Sequence, residues 1–246
     1  YSENPKVYIL EVNPRASRTV PFVCKATGEP LAKIAARVMV GQTMKQQGVK
    51  VEVTPKYMCV KEAVFPFTKF LGVDPVLGPE MRSTGEVMGV GASFGEALYK
   101  AELGAGDRLP EKGTAFISVR DVDKARAVSV ATHLRDQGFN IVATRGTAAL
   151  LQHAAIPCRV VNKVSEGRPN VVDMIKNGDV QLVIATADES RTQISDARQI
   201  RQTALAQLGV VYYTTISGAA AAVEGQKHAK DVEVRSLQEL HAMNRA

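Results

Sequence analysis

A chain of 246 residues with 45% hydrophobic and 23% charged residues can form one large or two modest domains with buried cores, and its composition is that of an ordinary soluble globular protein. The net charge of +6 is spread evenly, and no Lys/Arg run is interleaved with aromatics, which argues against nucleic acid as a partner and leaves anionic small molecules open. No apolar run reaches membrane-span length and no basic-then-apolar leader opens the chain, while Cys24, Cys59 and Cys158 are too far apart for metal-ligand spacing and read as reduced thiols of a cytoplasmic protein.

The run Val7 to Val12 predicts a short strand, so Glu11 and Asn13 project from one face. A carboxylate beside a carboxamide offers oxygen ligands only, which suits a hard cation that is shared with phosphates. Pro14 ends the ladder, and Arg15 and Arg18 then supply planar forks for phosphate or carboxylate oxygens. Together these residues make a corner suited to phosphoryl transfer. The same spacing is equally that of a solvated strand face with surface arginines.

Leu31 to Val40 has apolar residues at helical spacing between Pro30 and Gly41, and Lys56 to Phe65 predicts a strand containing one acid, Glu62. Phe70 to Gly89, rich in Gly and Pro, predicts an ordered loop. Ser93-Phe94-Gly95-Glu96 is a capping box that opens a helix ending near Gly104. Small and polar residues from Gly104 to Gly113 form the best boundary, which divides the chain into 1–106 and 107–246.

Beyond it strands and helices alternate. Strands are predicted over 114–119, 140–143, 158–161, 182–185 and 210–214, and helices over 121–137, 147–154, 170–177 and 192–208, with further helices at the end. Such alternation implies a parallel sheet covered on both faces, with ligands beyond the carboxyl ends of its strands. There the second strand ends in Thr144-Arg145-Gly146-Thr147 and leads into a helix. Gly146 allows close approach, and a helix N-terminus offers free N–H groups to a phosphate. Lys163 and Thr186 lie past the third and fourth strands and Lys124 lies in the first helix, so the strand ends predict an anion pocket.

Glu11-Val12-Asn13-Pro14-Arg15 with Ser17-Arg18-Thr19 resembles the closing metal-binding motif of an ATP-grasp domain, in the form found in carbamoyl-phosphate synthetase large subunits. The likeness continues through Pro21-Phe22-Val23, Lys25-Ala26-Thr27-Gly28 and Ala32 to Met39. It is most specific over Gly72-Val73-Asp74-Pro75 and Leu77 to Gly89, and it covers essentially the whole chain. The repeat after Gly113 resembles the methylglyoxal-synthase-like regulatory domain of the same subunits. The resemblance implies an α/β fold: the C-terminal remnant of an ATP-grasp domain followed by a Rossmann-like methylglyoxal-synthase-like domain with a five-stranded parallel sheet.

It also implies a ligase that phosphorylates carbamate with ATP, giving carbamoyl phosphate for arginine and pyrimidine biosynthesis. Glu11 and Asn13 would hold Mg²⁺ (or Mn²⁺) on the ATP phosphates, and Arg15 and Arg18 would stabilise the transferring phosphoryl group. Lys124, Thr144, Gly146, Thr147, Lys163 and Thr186 would bind a nucleotide effector such as UMP or IMP. Glu62, in its Val-Lys-Glu setting, and Thr214 would bind the activator ornithine. A glutamine amidotransferase small subunit would be the partner, through a part of the large subunit not contained here. The chain departs from the family in Ala185-Thr186-Ala187, where many bacterial members have Asn-Thr-Thr, and in Tyr212-Tyr213-Thr214, where Tyr-Asp-Thr is found.

Opening on Tyr1 without a glycine-rich phosphate loop before Glu11, the sequence reads as a fragment expected to lack synthetase activity by itself. A stand-alone regulatory module is the alternative. Methylglyoxal synthase proper is less favoured, because it needs an acid/base pair at the phosphate: His133 and His153 fall in helices, His228 and His241 fall beyond the last strand, and Ser165 to Pro169 lacks that enzyme's Gly-Asp.

Overall fold

A computed structural model describes residues 6, 8–9, 12, 14–49, 52–70, 73–78, 80–186 and 191–245. In chain order its elements are α1 (Thr19–Thr27), α2 (Leu31–Met39), β1 (Met58–Val64), β2 (Gly85–Gly91), α3 (Phe94–Ala105), β3 (Thr114–Ser118), α4 (Lys124–Asp136), β4 (Asn140–Thr144), α5 (Arg145–His153), β5 (Arg159–Val161), α6 (Val171–Lys176), β6 (Leu182–Ala185), α7 (Arg191–Ala206), β7 (Val211–Tyr213), α8 (Ile216–Gln226) and α9 (Leu237–Arg245). They form two compact units: Tyr1–Lys56 with Val234–Ala246, and Tyr57–Glu233.

In the first unit α1 ends on Gly28, whose left-handed backbone (φ 81°) returns its N–H to Cys24 O. Pro21 sits in the first turn, where its missing N–H costs nothing because those donors have no intrahelical partner. That explains a helix the sequence reading passed over. α9 packs on α1 and satisfies its last carbonyls: His241 Nε2 lies 2.8 Å from Lys25 O, and Asn244 Nδ2 donates to Ala26 O at 3.3 Å. Val7, Leu10 and Glu11 of the expected first strand lie outside the described residues, and so does Asn13.

In the second unit β1 and β2 form an antiparallel hairpin, in register from Met58↔Gly91 to Val64↔Gly85. The predicted loop over 70–89 is thus corrected at its end, where 85–89 belong to a strand. Their glycines obscure the strand pattern and serve packing instead. A Cβ on Gly89 would come within 1.8 Å of Ala97 O, so only glycine lets α3 lie this close. α3 opens as expected, with Ser93 Oγ accepting the Glu96 N–H at 3.2 Å, but Glu96 takes the N–H of Ala92 rather than that of Ser93.

The remaining strands form one parallel sheet in the order β5-β4-β3-β6-β7. Two buried clusters cover its faces. One joins Ile117, Leu134, Leu151, Ile184 and Val223 beneath α4, α5 and α8, and the other joins Phe116, Val171, Ile175, Val183 and Ile200 beneath α6 and α7. Strands that carry Val, Ile and Ala on both sides, such as β6 with all four residues buried, are what a doubly covered sheet requires. α3 packs on α8, so the hairpin and α3 fall in the same compact unit as the sheet. The division by contacts therefore lies at Tyr57, ahead of the 106/107 boundary that composition suggests. No helix of the described residues is long and apolar enough to cross a membrane.

Candidate functional site

Chain order runs outward from β3 through β4 to β5 on one side and from β6 to β7 on the other, so the strand order reverses between β3 and β6 while every strand stays parallel. The carboxyl ends of strands at such a switch point leave a crevice. Here the Thr186 N–H donates to Ser118 O at 2.9 Å, and the two strand ends flank a cleft of about 170 Å³. Lys124, Thr144, Gly146, Thr147, Lys163 and Thr186 all line it, so the structure brings together every residue expected of the anion pocket.

Each reaches the cleft for a local reason. Thr144 is the N-cap of α5 by its extended backbone, yet no side-chain cap closes the helix, because its hydroxyl lies 3.1 Å from Ser118 Oγ. The first-turn N–H groups of Arg145, Gly146 and Thr147 keep their capacity for an anion, reinforced by the helix dipole. α5 begins at Arg145 rather than Thr147, so the expected turn is already helix. The protein itself would accept a side chain at Gly146, since a Cβ there would meet Lys124 Nζ only at an ordinary 3.9 Å; its absence leaves the helix end open to a ligand beside the ammonium.

Buried Thr147 accepts the Val119 N–H on Oγ1 at 3.3 Å, which leaves its own proton for a ligand. Thr186 is engaged differently. Its Oγ1 accepts the Arg120 N–H at 2.9 Å and it hydrogen-bonds Asp123, so the hydroxyl is committed to the turn over 120–123.

The electrostatics favour an anion. Lys124 Nζ lies 2.7 Å from Oδ1 of the exposed Asp121, whose carboxyl is held below the usual range by that hydrogen bond, by the Lys124 charge and by Lys163. Both lysines thus act on one small volume, and an exposed ion pair is a weak competitor for a multiply charged ligand. Asp196, Ala197 and Ile200 of α7 also line the cleft. Sequence reasoning missed Ser118 and the α7 residues. Ser118 could have been found by the strand-end rule that gave Thr144, but which face of α7 turns inward is decided only by packing. No histidine lines the cleft: His228 lies 3.4 Å from Ser93 Oγ, and His241 of α9 faces Lys25 O of α1.

The other expected residues fall elsewhere. Arg15 and Arg18 are exposed ahead of α1, and their expected metal-binding companions Glu11 and Asn13 lie outside the described residues. Glu62 is on β1 opposite Val87, and Thr214 is exposed just after β7. Around Glu62 the structure assembles an acidic cluster. Glu102 of α3, 8% exposed, accepts a hydrogen bond from the Tyr213 hydroxyl on Oε1 at 3.0 Å, and its buried Oε2 has no hydrogen-bond partner among the described residues. Burial, against the Tyr213 hydrogen bond and with Glu62 and Asp107 adding negative charge, pushes the Glu102 carboxyl up to about 7. Burial likewise raises Glu62 and Asp107.

Known proteins resemble this chain in sequence. Residues 126–214 match the family described as the MGS-like domain, and residues 1–47 match the carbamoyl-phosphate synthase L chain, ATP binding domain. The chain is 64% identical over 236 residues to the carbamoyl phosphate synthase large chain of Ralstonia nicotianae, 58% over 235 residues to that of Xanthomonas campestris and 55% over 235 residues to that of Pasteurella multocida. Each match covers 96% of this chain and 22% of the relative. With the end of an ATP-binding domain in its first 47 residues and an MGS-like sheet domain after it, the chain belongs to the carbamoyl phosphate synthase large-chain family.

Proposed function

We propose that this chain is the part of a glutamine-dependent carbamoyl phosphate synthase large subunit that joins the end of its carbamate-phosphorylating ATP-grasp domain to its nucleotide-responsive regulatory domain. The whole reaction, ATP-dependent phosphorylation of carbamate in the cytoplasm with nitrogen supplied through a small amidotransferase subunit, belongs to the longer protein. Within this chain, Glu11 and Asn13 are oxygen donors of the kind a hard cation takes, and they would hold Mg²⁺ or Mn²⁺. Bound there, the ion would neutralise charge on the ATP phosphates, while Arg15 and Arg18 orient the transferring phosphoryl group. Glu62 and Thr214 would receive the amino-acid activator.

The regulatory half rests on one observation: two lysines, the Thr147 hydroxyl with its proton to give and a helix N-terminus without a side-chain cap converge on one cleft at the sheet's switch point. A phosphate monoester such as UMP or IMP would place its phosphate on the first turn of α5 between Lys124 and Lys163.

Calorimetric titration of the 246-residue chain with UMP and with IMP tests this. Saturable binding is expected with one of them. Lys163→Ala is expected to weaken it about 10- to 100-fold, the loss of one charge-assisted hydrogen bond. Absence of heat with both nucleotides, from chain shown to be folded, would remove the regulatory reading.

A further inference from the structure

α7 is shared between the cleft and a segment on the chain's other side. Asp196, Ala197 and Ile200 line the cleft, while the next residue, Arg201, is 7% exposed and donates from Nε and Nη2 to the two carboxylate oxygens of Asp74, each at 2.9 Å. From 196 to 201 the helix rises about 7.5 Å, less than one and a half turns, so cleft wall and ion pair ride on one rigid piece.

Both ends of that piece are anchored. On the cleft side, Asp196 Oδ2 accepts from Ser165 Oγ at 2.7 Å and from the Ser165 N–H at 3.3 Å. Ser165 belongs to the short turn that follows Lys163 and packs against α7. On the far side, Asp74 lies in the connection between β1 and β2 and also accepts the Val76 N–H at 3.3 Å. Its neighbour Pro75 is buried, and the turn Phe67–Lys69 packs against α7. Burial disfavours the Asp74 charge, but the hydrogen bonds and charge of Arg201, with Val76 and Arg198 adding to them, hold its carboxyl below the usual range. The pair is therefore ionised at neutral pH, and its bidentate geometry resists sliding.

We propose that α7 carries the occupancy of the cleft to the β1–β2 connection around Asp74, with Ser165–Asp196 as the input contact and Arg201–Asp74 as the output contact. An anion drawing Lys163 inward moves the turn that holds Ser165. Asp196 transfers that displacement to the helix, and Arg201 transfers it to Asp74. Asp196, Ser165, Arg201 and Asp74 are positioning residues. The nature of the natural input rests on the effector reading of the cleft, whereas the mechanical link does not.

Amide hydrogen exchange on the 246-residue chain tests the link without any ligand. Ser165→Ala is expected to speed exchange at Val76 about fivefold or more, with Val142 and Ala143 of β4 unchanged as a control against global loosening. Asp74→Asn is expected to do the same at the Ser165 amide. An unchanged Val76 in the first variant, or an unchanged Ser165 in the second, overturns the proposal. In the unmodified chain, whichever of UMP and IMP binds is expected at saturation to slow both amides; a nucleotide that binds by calorimetry yet leaves Val76 untouched also overturns it. Failure of both UMP and IMP to bind would instead remove the effector reading, and the two variants would still decide the link.

Discussion

Thr147 is 2% exposed, and its hydroxyl accepts the Val119 N–H before any ligand arrives. Thr147→Val keeps the shape but removes the acceptor of the half-buried Val119 N–H, so a loss of about 1 kcal/mol in urea unfolding is expected, together with weaker nucleotide binding. Thr144 and Lys124 were legible from the sequence because strand ends and helix starts are local features. Glu102 was not, since nothing in the helix pattern of 94–105 says that one of its acids meets a tyrosine more than a hundred residues away. That carboxyl is raised from 4.5 to about 7 in the folded chain. The folded state therefore keeps a proton that the unfolded state loses, and stability falls as pH rises from about 4.5 to about 7, by on the order of 3 kcal/mol. Urea midpoints measured across that range are expected to show the decline, and Glu102→Gln to flatten it; an equal slope in the variant would assign the effect to other groups.

α5 shows how an element becomes a site. Its N-cap residue spends its hydroxyl on Ser118, so the first turn remains open to an anion. β2 is the contrary case, an element hidden because two of its positions are glycines required by α3. Gly89→Ala is expected to cost about 3 kcal/mol or more, because the added methyl meets the backbone of Ala97 and Ala101 and neither can retreat without unseating α3 from the hairpin. Urea unfolding followed by circular dichroism would measure it. Elements with clean periodicity, among them α4, α6 and β6, lie within a few residues of their predicted bounds.

The molecule consists of two units that composition does not delimit. The chain's last helix, α9, joins the first unit by placing His241 and Asn244 on the carbonyls that end α1. A chain ending at Glu233 is accordingly expected to expose those carbonyls, speeding amide exchange across α1 while β3, β4 and β6 exchange as before. Uniform acceleration in both units would show that α9 supports the whole chain.

The sequence by itself determined the strand–helix alternation, hence a parallel sheet and a ligand crevice at its strand ends, because side-chain period and helix caps act over a few residues. It also carried the motif of Glu11, Asn13, Arg15 and Arg18. Only the tertiary structure decided that Asp196, Ala197 and Ile200 of α7 wall the cleft, that α3 belongs with the sheet, that α9 returns to α1 and that Arg201 grips Asp74. Those contacts join residues far apart in the chain, and their energies come from burial and pairing that exist only once the chain has closed.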